Sequence, residues 1–275
     1  MTKTRLWVVL AFAGLLAAAL VAVGCGDDEE SSSAGSEDLG LTDEGTLLVG
    51  SDIPFPPFEQ GDPPDYEGFD IDVINAVGEE MGLDVEIVDV PFDLVLSGGS
   101  GRFDLAIAAT TIKPAREGRV DFSDPYFESE QSLLVPADGE VQSIDDLTSD
   151  TVVGAQDQTT GETYAGENSD AEVRPFQEID DAYTALAGGQ VDAVINDIDP
   201  NNTAAADNPD LEVVETYPTG EQYGIVFPEG SDALLEAVNE ALATVKEDGT
   251  LDEIYQEWFE KEAPPSVLDA THEAT

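Results

Sequence analysis

Strand-like and helix-like segments alternate along this 275-residue chain, and the alternation occurs twice. In the first half, Phe69–Met81 has apolar residues at helical spacing and follows the apolar strand candidate Thr46–Ser51. In the second half, the helical candidate Ile179–Ala187 lies between strand candidates in the same way. The motif GRFDLAI at 101–107 also aligns with GQVDAVI at 189–195. Chance could produce the similar motifs but would not repeat the order of elements, so we predict an α/β protein with two lobes, each built on a mostly parallel sheet flanked by helices.

The first 24 residues have the composition of an export signal. Lys3 and Arg5 precede an apolar run over residues 6–23, and Cys25 follows directly after small residues. The site resembles a lipobox with Ala22 where Leu is usual, so we expect cleavage and lipidation at Cys25, with a retained membrane helix as the alternative. Residues 25–44 then form a lipidated Cys and a flexible acidic linker. A calcium site at residues 27–30 is the less favoured interpretation of the linker's acids.

Acidic side chains outnumber basic ones by 61 to 9, which gives a formal net charge of −52. Such a charge argues against nucleic-acid binding and against binding an anionic membrane surface through basic patches.

A single Cys and a single His exclude a disulfide framework and a Cys/His metal cluster. The hydrophobic content of 41% is sufficient for packed cores. An acid-rich chain with only four Lys also predicts a halophilic acidic surface, where salt screens self-repulsion.

Four loops follow the carboxyl ends of predicted strands, where open α/β sheets bind their ligands. They are residues 52–59 and 109–116 in the first half, and residues 156–161 and 196–197 in the second half. Two loops from each lobe, facing each other, describe a ligand cleft between the lobes.

An ordered set of motifs gives the chain a resemblance to a known family over about residues 45–261. The motifs are DIPFPPFE at 52–59, GFDID at 68–72, FDLAI at 103–107, TIKPAR at 111–116, VDFSDPY at 120–126, QYGIVFP at 222–228 and GTLDEIYQEW at 249–258. The chain resembles the amino-acid-binding solute receptors of ABC importers, the family 3 type of extracellular solute-binding proteins. The resemblance implies a two-lobed periplasmic-binding-protein-like fold with the ligand between the lobes.

The resemblance also implies how the two charged ends of an amino acid would be bound. Arg116 would bind the α-carboxylate through its guanidinium fork, and backbone N–H groups around Thr111 and Thr160 would complete that site. Asp197 would bind the α-ammonium, with the main chain at Ala109 as a second acceptor. The alternatives are a surface ion pair for Arg116 and a helix N-cap for Asp197. The family usually has Gly in the loop before Thr160, at the position of Gln158 here.

The same resemblance assigns the ligand side chain to four residues. Phe55 and Phe92 would form aromatic walls, although core packing is the more common role of a Phe. Asp52 and Gln156 would face the tip of the side chain, although Asp52 could instead cap the turn at Pro54. A carboxylate beside an amide suits a polar side chain, either an amide or a cation, and disfavours Asp or Glu as the ligand.

The expected domain order follows from the two lobes and the resemblance. Residues 1–24 are the signal peptide, 45–128 and 222–262 form lobe 1, 129–221 form lobe 2, and 263–275 are a frayed tail. The chain would cross between the lobes near residues 127–129 and 220–222, which would act as the hinge.

The resemblance implies that the two lobes close around a polar L-amino acid and that the ABC-transporter permease recognises the closed form. Neither event requires a catalytic step. We therefore expect no enzyme activity, cofactor or metal ion, and a monomer that is exported and lipid-anchored to the outer face of the cytoplasmic membrane. The alternative is a dehydratase of the same fold that acts on prephenate- or arogenate-like acids, with Asp52 or Asp197 as the acid.

Overall fold

Two five-stranded sheets form the framework of the protein, for which the computed structural model describes residues 39–272. In chain order, the strands are β1 (Thr46–Ser51), β2 (Gln60–Asp62), β3 (Asp65–Glu67), β4 (Asp84–Asp89), β5 (Leu105–Ala106), β6 (Val120–Phe122), β7 (Phe127–Pro136), β8 (Val152–Gln156), β9 (Glu172–Phe176), β10 (Ala193–Asp197), β11 (Leu211–Tyr223) and β12 (Val226–Pro228). The helices are α1 (Phe69–Met81), α2 (Phe92–Val95), α3 (Pro114–Glu117), α4 (Thr160–Asn168), α5 (Ile179–Ala187), α6 (Ile198–Asp207), α7 (Asp232–Glu247), α8 (Thr250–Phe259) and α9 (Pro265–Leu268).

The predicted signal peptide, Cys25 and most of the acidic linker lie outside the described residues. In the part of the chain that is described, no helix is long and apolar enough to span a bilayer.

Each sheet has four strands running in one direction and one strand running against them. The first sheet has the order β4-β1-β5-β12-β6, in which β12 is antiparallel to both neighbours. The second has the order β11-β7-β10-β8-β9, in which β7 is antiparallel to both neighbours. The fold is therefore α/β and two-lobed, as the repeated units predict. We call the part built on the first sheet the first lobe and the part built on the second sheet the second lobe.

The two lobes are joined where the start of β7 pairs with the end of β11. Phe127 pairs with Tyr223, and Ser129 pairs with Glu221. We call residues 127–129 and 221–223 the crossing pair. The register between β7 and β11 shifts between Tyr217 and Glu221, so the long strand is irregular just before it enters the crossing pair.

An aromatic cluster packs where the crossing pair enters the first lobe. The ring of Phe127 lies 4.9 Å from that of Phe58, 5.1 Å from that of Phe69 and 5.3 Å from that of Tyr255, measured between ring centroids. Tyr223 on the partner strand lies 5.4 Å from Phe58. These rings are fully or almost fully buried. Because each aromatic pair contributes about 0.5–1.5 kcal/mol beyond its buried area, the cluster fixes the crossing pair to the first lobe.

The segment after Pro264 was expected to fray, and for the residues described to 272 that expectation is wrong. Residues Pro265–Leu268 form the short helix α9, and the side chain of Val267 is fully buried. The Ser266 carbonyl accepts a hydrogen bond of 2.8 Å from Gln222 Nε2 in the crossing pair. The prolines were expected to end the helical pattern, but α8 already ends at Phe259, where Glu260 has a φ of 54°, and Pro265 begins α9. The buried Val267 then holds the segment against the first lobe.

Candidate functional site

All nine predicted ligand-binding residues line one cleft between the lobes. They are Asp52, Phe55, Phe92, Ala109, Thr111, Arg116, Gln156, Thr160 and Asp197, and the lining is completed by Glu59, Ala108, Thr159 and Asn196. Together with the solvent at its mouth, the cleft holds about 330 Å³ that protein atoms do not occupy. The residues lie at or after the carboxyl ends of β1, β4, β5, β8 and β10, as expected for a ligand site of an α/β protein.

The guanidinium of Arg116 contacts both lobes. Its Nη1 donates a hydrogen bond of 2.8 Å to the Thr111 carbonyl in the first lobe, and its Nη2 donates one of 3.2 Å to the Gln158 carbonyl in the second. The guanidinium carbon lies 5.5 Å from the centre of the Phe92 ring. Burial lowers the pKa of Arg116. Arg116 forms no ion pair with a carboxylate in residues 39–272, so the surface ion pair considered from the sequence is wrong.

The loop before α4 supplies backbone groups next to Arg116. Thr159 caps α4, because its side-chain oxygen accepts a hydrogen bond of 3.2 Å from the N–H of Glu162, and Thr160 is the first residue of the helix. Gln158 has a φ of 63°, in the left-handed region that glycine adopts without strain. The glycine usual in the family would suit this conformation, which Gln158 adopts at some cost in strain.

Asp197 is buried at the end of β10 and is the N-cap residue of α6 by position. Its side chain makes no capping hydrogen bond, however, and instead accepts hydrogen bonds from Gln131 Nε2 and from the Tyr223 hydroxyl, the latter at 2.8 Å. Burial, and next the charge of Glu221, raise the pKa of Asp197 to about 8. The carboxylate is therefore held in the cleft by residues of β7 and β11 and is not used to cap its own helix.

The backbone at Ala109 has a φ of 43°, which is unusual for a residue with a side chain. Its N–H donates a hydrogen bond of 2.7 Å to Asp70 Oδ2, which also accepts one of 2.8 Å from the Tyr126 hydroxyl. Asp70 is fully buried, and burial raises its pKa to about 7. Fully buried Glu59 lies close by, and its pKa is raised well above the ordinary value by burial and by the charge of Asp70. The Asp70 carboxyl group therefore holds the Ala109 turn.

Asp52 forms a direct hydrogen bond across the cleft. Its Oδ2 accepts a hydrogen bond of 2.7 Å from Gln156 Nε2 of the second lobe. Only 5% of the Asp52 surface is exposed, and burial, followed by the charges of Glu178 and Asp89, raises its pKa to about 7. The bond to Gln156 shows that the side chain faces the opposite lobe.

The two phenylalanines predicted as aromatic walls combine a place in the cleft with core packing. Phe55 and Phe92 line the cleft and are also packed into hydrophobic clusters. Phe55 stacks on Phe58, with 6.1 Å between ring centroids.

Three polar residues around the site were not identified from the sequence. Gln131 and Tyr223 bind Asp197 from β7 and β11, and Glu221 lies beside Gln131. None of the three lies in a loop that follows a parallel strand, so the rule that identified the four cleft loops did not include them.

The fold and the cleft define a two-lobed ligand-binding protein of the periplasmic-binding type. Residues 47–261 match the family model of the bacterial extracellular solute-binding proteins, family 3, and the chain belongs to this family. The resemblance inferred from the ordered motifs is thereby confirmed.

The chain is similar over most of its length to named binding proteins. A probable histidine-binding protein of Neisseria gonorrhoeae is 31% identical over 259 residues, which cover 91% of this chain and 95% of that protein. The arginine-, lysine-, histidine-binding protein ArtJ of the thermophilic bacterium Geobacillus stearothermophilus is 36% identical, with a TM-score of 0.75 over 82% of this chain and 99% of that one. An ancestral amino acid-binding protein that is a precursor of cyclohexadienyl dehydratase is 36% identical, with a TM-score of 0.72 over 78% and 96% of the two chains.

Proposed function

We propose that the protein binds a cationic L-amino acid outside the cytoplasm and delivers it to an ABC-transporter permease. The observation that carries this proposal is the charge of the cleft. Arg116 is the one basic side chain of residues 39–272 that lines it, whereas Asp52, Glu59 and Asp197 are acidic. Arg116 and Asp197 would balance the carboxylate and the ammonium of the ligand, which leaves Asp52 for a third charged group.

The surroundings of Asp52 favour a cation over an amide in the ligand side chain. Burial raises the pKa of the Asp52 carboxyl most, and the negative charges of Glu178 and Asp89 raise it further. A positive group would reverse that effect, since an opposite charge stabilises a buried carboxylate. Similar proteins include histidine-binding and arginine-, lysine-, histidine-binding ones, but also glutamine- and cystine-binding ones, so the choice of a cation rests on the charge of the cleft.

Delivery would depend on closure of the two lobes about the crossing pair. A ligand held by Arg116 of the first lobe and Asp197 of the second makes both contacts only when the lobes are together, so binding selects the closed form. The permease would then distinguish closed from open. The lobe boundaries expected from the sequence, 45–128 and 222–262 for one lobe and 129–221 for the other, are part of this proposal.

A lipid anchor at Cys25 and a monomeric state complete the proposal. The motif around Cys25 supports the anchor, because several acyl chains on one Cys would hold a receptor stably at the membrane. The mass of the N-terminal peptide from the protein expressed in a bacterium would test it, since an unmodified peptide beginning before Cys25 would contradict lipidation.

The dehydratase alternative is less compatible with the cleft. The raised pKa values of Asp52 and Asp197 would provide an acid, but prephenate-like substrates carry two carboxylates, and the described cleft has a single basic side chain for them. Turnover of prephenate or arogenate by the purified protein would favour this alternative.

A thermal-shift panel tests the proposed function. The twenty L-amino acids are added separately to the protein in high salt, and we expect arginine, lysine or histidine to raise the melting temperature by the usual binding linkage. Arginine should also bind at least ~10-fold more tightly than its neutral isostere citrulline, because a hydrogen bond to a charged group is worth about 1.5–3 kcal/mol.

Two variants serve as controls for the panel. Arg116→Ala should abolish the shift, and Asp52→Asn should reduce the preference for arginine over citrulline. No shift from any of the twenty amino acids would contradict the proposed function, and equal affinities for arginine and citrulline would contradict the choice of a cation.

A further inference from the structure

Glu221 lies in the crossing pair and contacts both lobes with one carboxylate. The residue is 7% exposed. Its Oε2 accepts a hydrogen bond of 2.8 Å from the Thr111 hydroxyl, which belongs to a cleft loop of the first lobe. Its Oε1 accepts one of 3.2 Å from Gln131 Nε2, which belongs to β7 in the second sheet. The carboxylate therefore joins a cleft loop of the first lobe to a strand of the second sheet.

The Gln131 side of this link leads to the ammonium end of the proposed site. Besides Glu221, Gln131 Nε2 donates to Asp197 Oδ1 and to Thr160 Oγ1, the latter at 3.1 Å. An amide nitrogen has two hydrogens, so three acceptors compete for them. The hydrogen bond that Glu221 receives is thus linked to those received by Asp197 and Thr160.

The Thr111 side of the link leads to the carboxylate end. The Thr111 carbonyl accepts the hydrogen bond from Arg116 Nη1, and Thr111 pairs with Tyr223 of the crossing pair in an isolated β-bridge. A change in the position of Thr111 would therefore move the backbone that holds the Arg116 guanidinium.

We propose that Glu221 is a positioning residue that couples the two ends of the amino-acid site across the crossing pair. The inference rests on the proposed function. In one and the same arrangement, the two oxygens of this carboxylate bond to Thr111 and Gln131, and Arg116 and Asp197 line one cleft. Glu221 thus adds stability to the closed arrangement without touching the ligand, and its loss weakens binding at both ends of the site.

The test is the arginine affinity of four variants, measured by calorimetry at one pH and salt concentration. Glu221→Ala and Thr111→Val should each weaken binding at least ~10-fold, the order expected for a hydrogen bond to a charged group. The double variant should bind within about twofold of Glu221→Ala, because the two changes remove the same interaction. Glu221→Gln should restore affinity to within about threefold of wild type, since its amide can accept from Gln131 and donate to the Thr111 hydroxyl.

A matched control separates positioning from a loss of stability. Thr203→Val removes a side-chain hydrogen bond of 3.0 Å to the Asp199 carbonyl within the second lobe, and it should leave the arginine affinity unchanged. Additive losses in the double variant, or no rescue by Glu221→Gln, would overturn the inference. Wild-type affinity in Thr111→Val would also overturn the inference. This variant keeps the charge of Glu221, so it still tests the inference if Glu221→Ala does not fold. If the wild type binds arginine and these variants bind it equally well, only the coupling is refuted. If the wild type binds no amino acid, the proposed function is refuted as well.

Discussion

The buried carboxyl group of Asp52 illustrates a conflict between stability and binding at a single residue. Burial and the neighbouring charges raise its pKa from the ordinary 3.8 to about 7. A group with a raised pKa in the fold binds its proton more tightly there than in the unfolded chain. Its contribution to the free energy of unfolding is therefore fully present below about pH 4 and is lost as the pH rises through about 7. Above that pH the ionised carboxylate destabilises the fold.

Asp52→Asn should therefore stabilise the protein at alkaline pH. The rise in the pKa corresponds to roughly 4 kcal/mol at most, and we expect the free energy of unfolding to increase by about 2–4 kcal/mol at pH 8. At pH 3.5 the carboxyl is protonated in the fold and mostly protonated in the unfolded chain, so the variant and the wild type should be nearly equally stable. Urea unfolding at the two pH values, in the same salt, measures the difference.

Asp93→Asn is the matched control, because Asp93 is an exposed acid near the same cleft and its replacement should change neither value. Equal stability of wild type and Asp52→Asn at pH 8 would show that the Asp52 carboxylate is not destabilising. A gain in stability together with weaker arginine binding is the pattern expected of a functional residue that is unfavourable for the fold.

Individual site residues were predicted where they lie in a motif and missed where they depend on distant pairing. The loop at 52–59 contains Asp52 and Phe55 in one short stretch that the sequence shows directly. The bond between Thr111 and Glu221 joins residues 110 positions apart. No periodicity or spacing reports such a contact, because it arises where the loop after β5 pairs with β11 through the bridge between Thr111 and Tyr223.

Among the elements, those with a regular apolar period were the most predictable. The helix α1 has the predicted bounds Phe69–Met81, since its buried residues recur at helical spacing and Gly82 ends it with a φ of 69°. The strand β11 was not predicted. It contains Pro218 and Gly220, which favour turns, and it continues past them only because β7 pairs with it on both sides of the register shift.

The C-terminal helix α9 provides a test at the scale of the element. Val267 is fully buried, and the helix bonds to the crossing pair through the Ser266 carbonyl. Val267→Ala removes two buried methyl groups and should lower the free energy of unfolding by about 2 kcal/mol. Chemical denaturation of the purified chain measures this loss. The neighbouring exposed Asp269, replaced by Ala, should change stability by less than ~0.5 kcal/mol. Equal effects of the two substitutions would mean that α9 is not anchored by Val267.

At the scale of the whole molecule, the acidic charge is not compensated by ion pairs. Sixty-one acidic residues contribute to a net charge of −52, yet within residues 39–272 the only salt-bridge contact is between His272 and Glu117, which is an ion pair only when the histidine is protonated. Like charges on one surface repel one another and destabilise the compact state. The sequence could predict this repulsion from composition alone, because it depends on the number of charges more than on their detailed positions.

We therefore predict that stability rises with salt concentration. The Debye length falls from about 10 Å at 0.1 M salt to about 3 Å at 1 M, so most of the surface repulsion should be screened within that range. We expect a gain of about 3 kcal/mol between 0.1 and 1 M NaCl, which corresponds to roughly 10 °C in the melting temperature for a chain of this size. Calorimetric melting in NaCl and in KCl should give similar gains, since screening depends on ionic strength. Sucrose at matched osmolality adds no ions and should produce a clearly smaller gain. A melting temperature that does not change with salt, or that rises equally in sucrose, would contradict adaptation of the acidic surface to a saline environment.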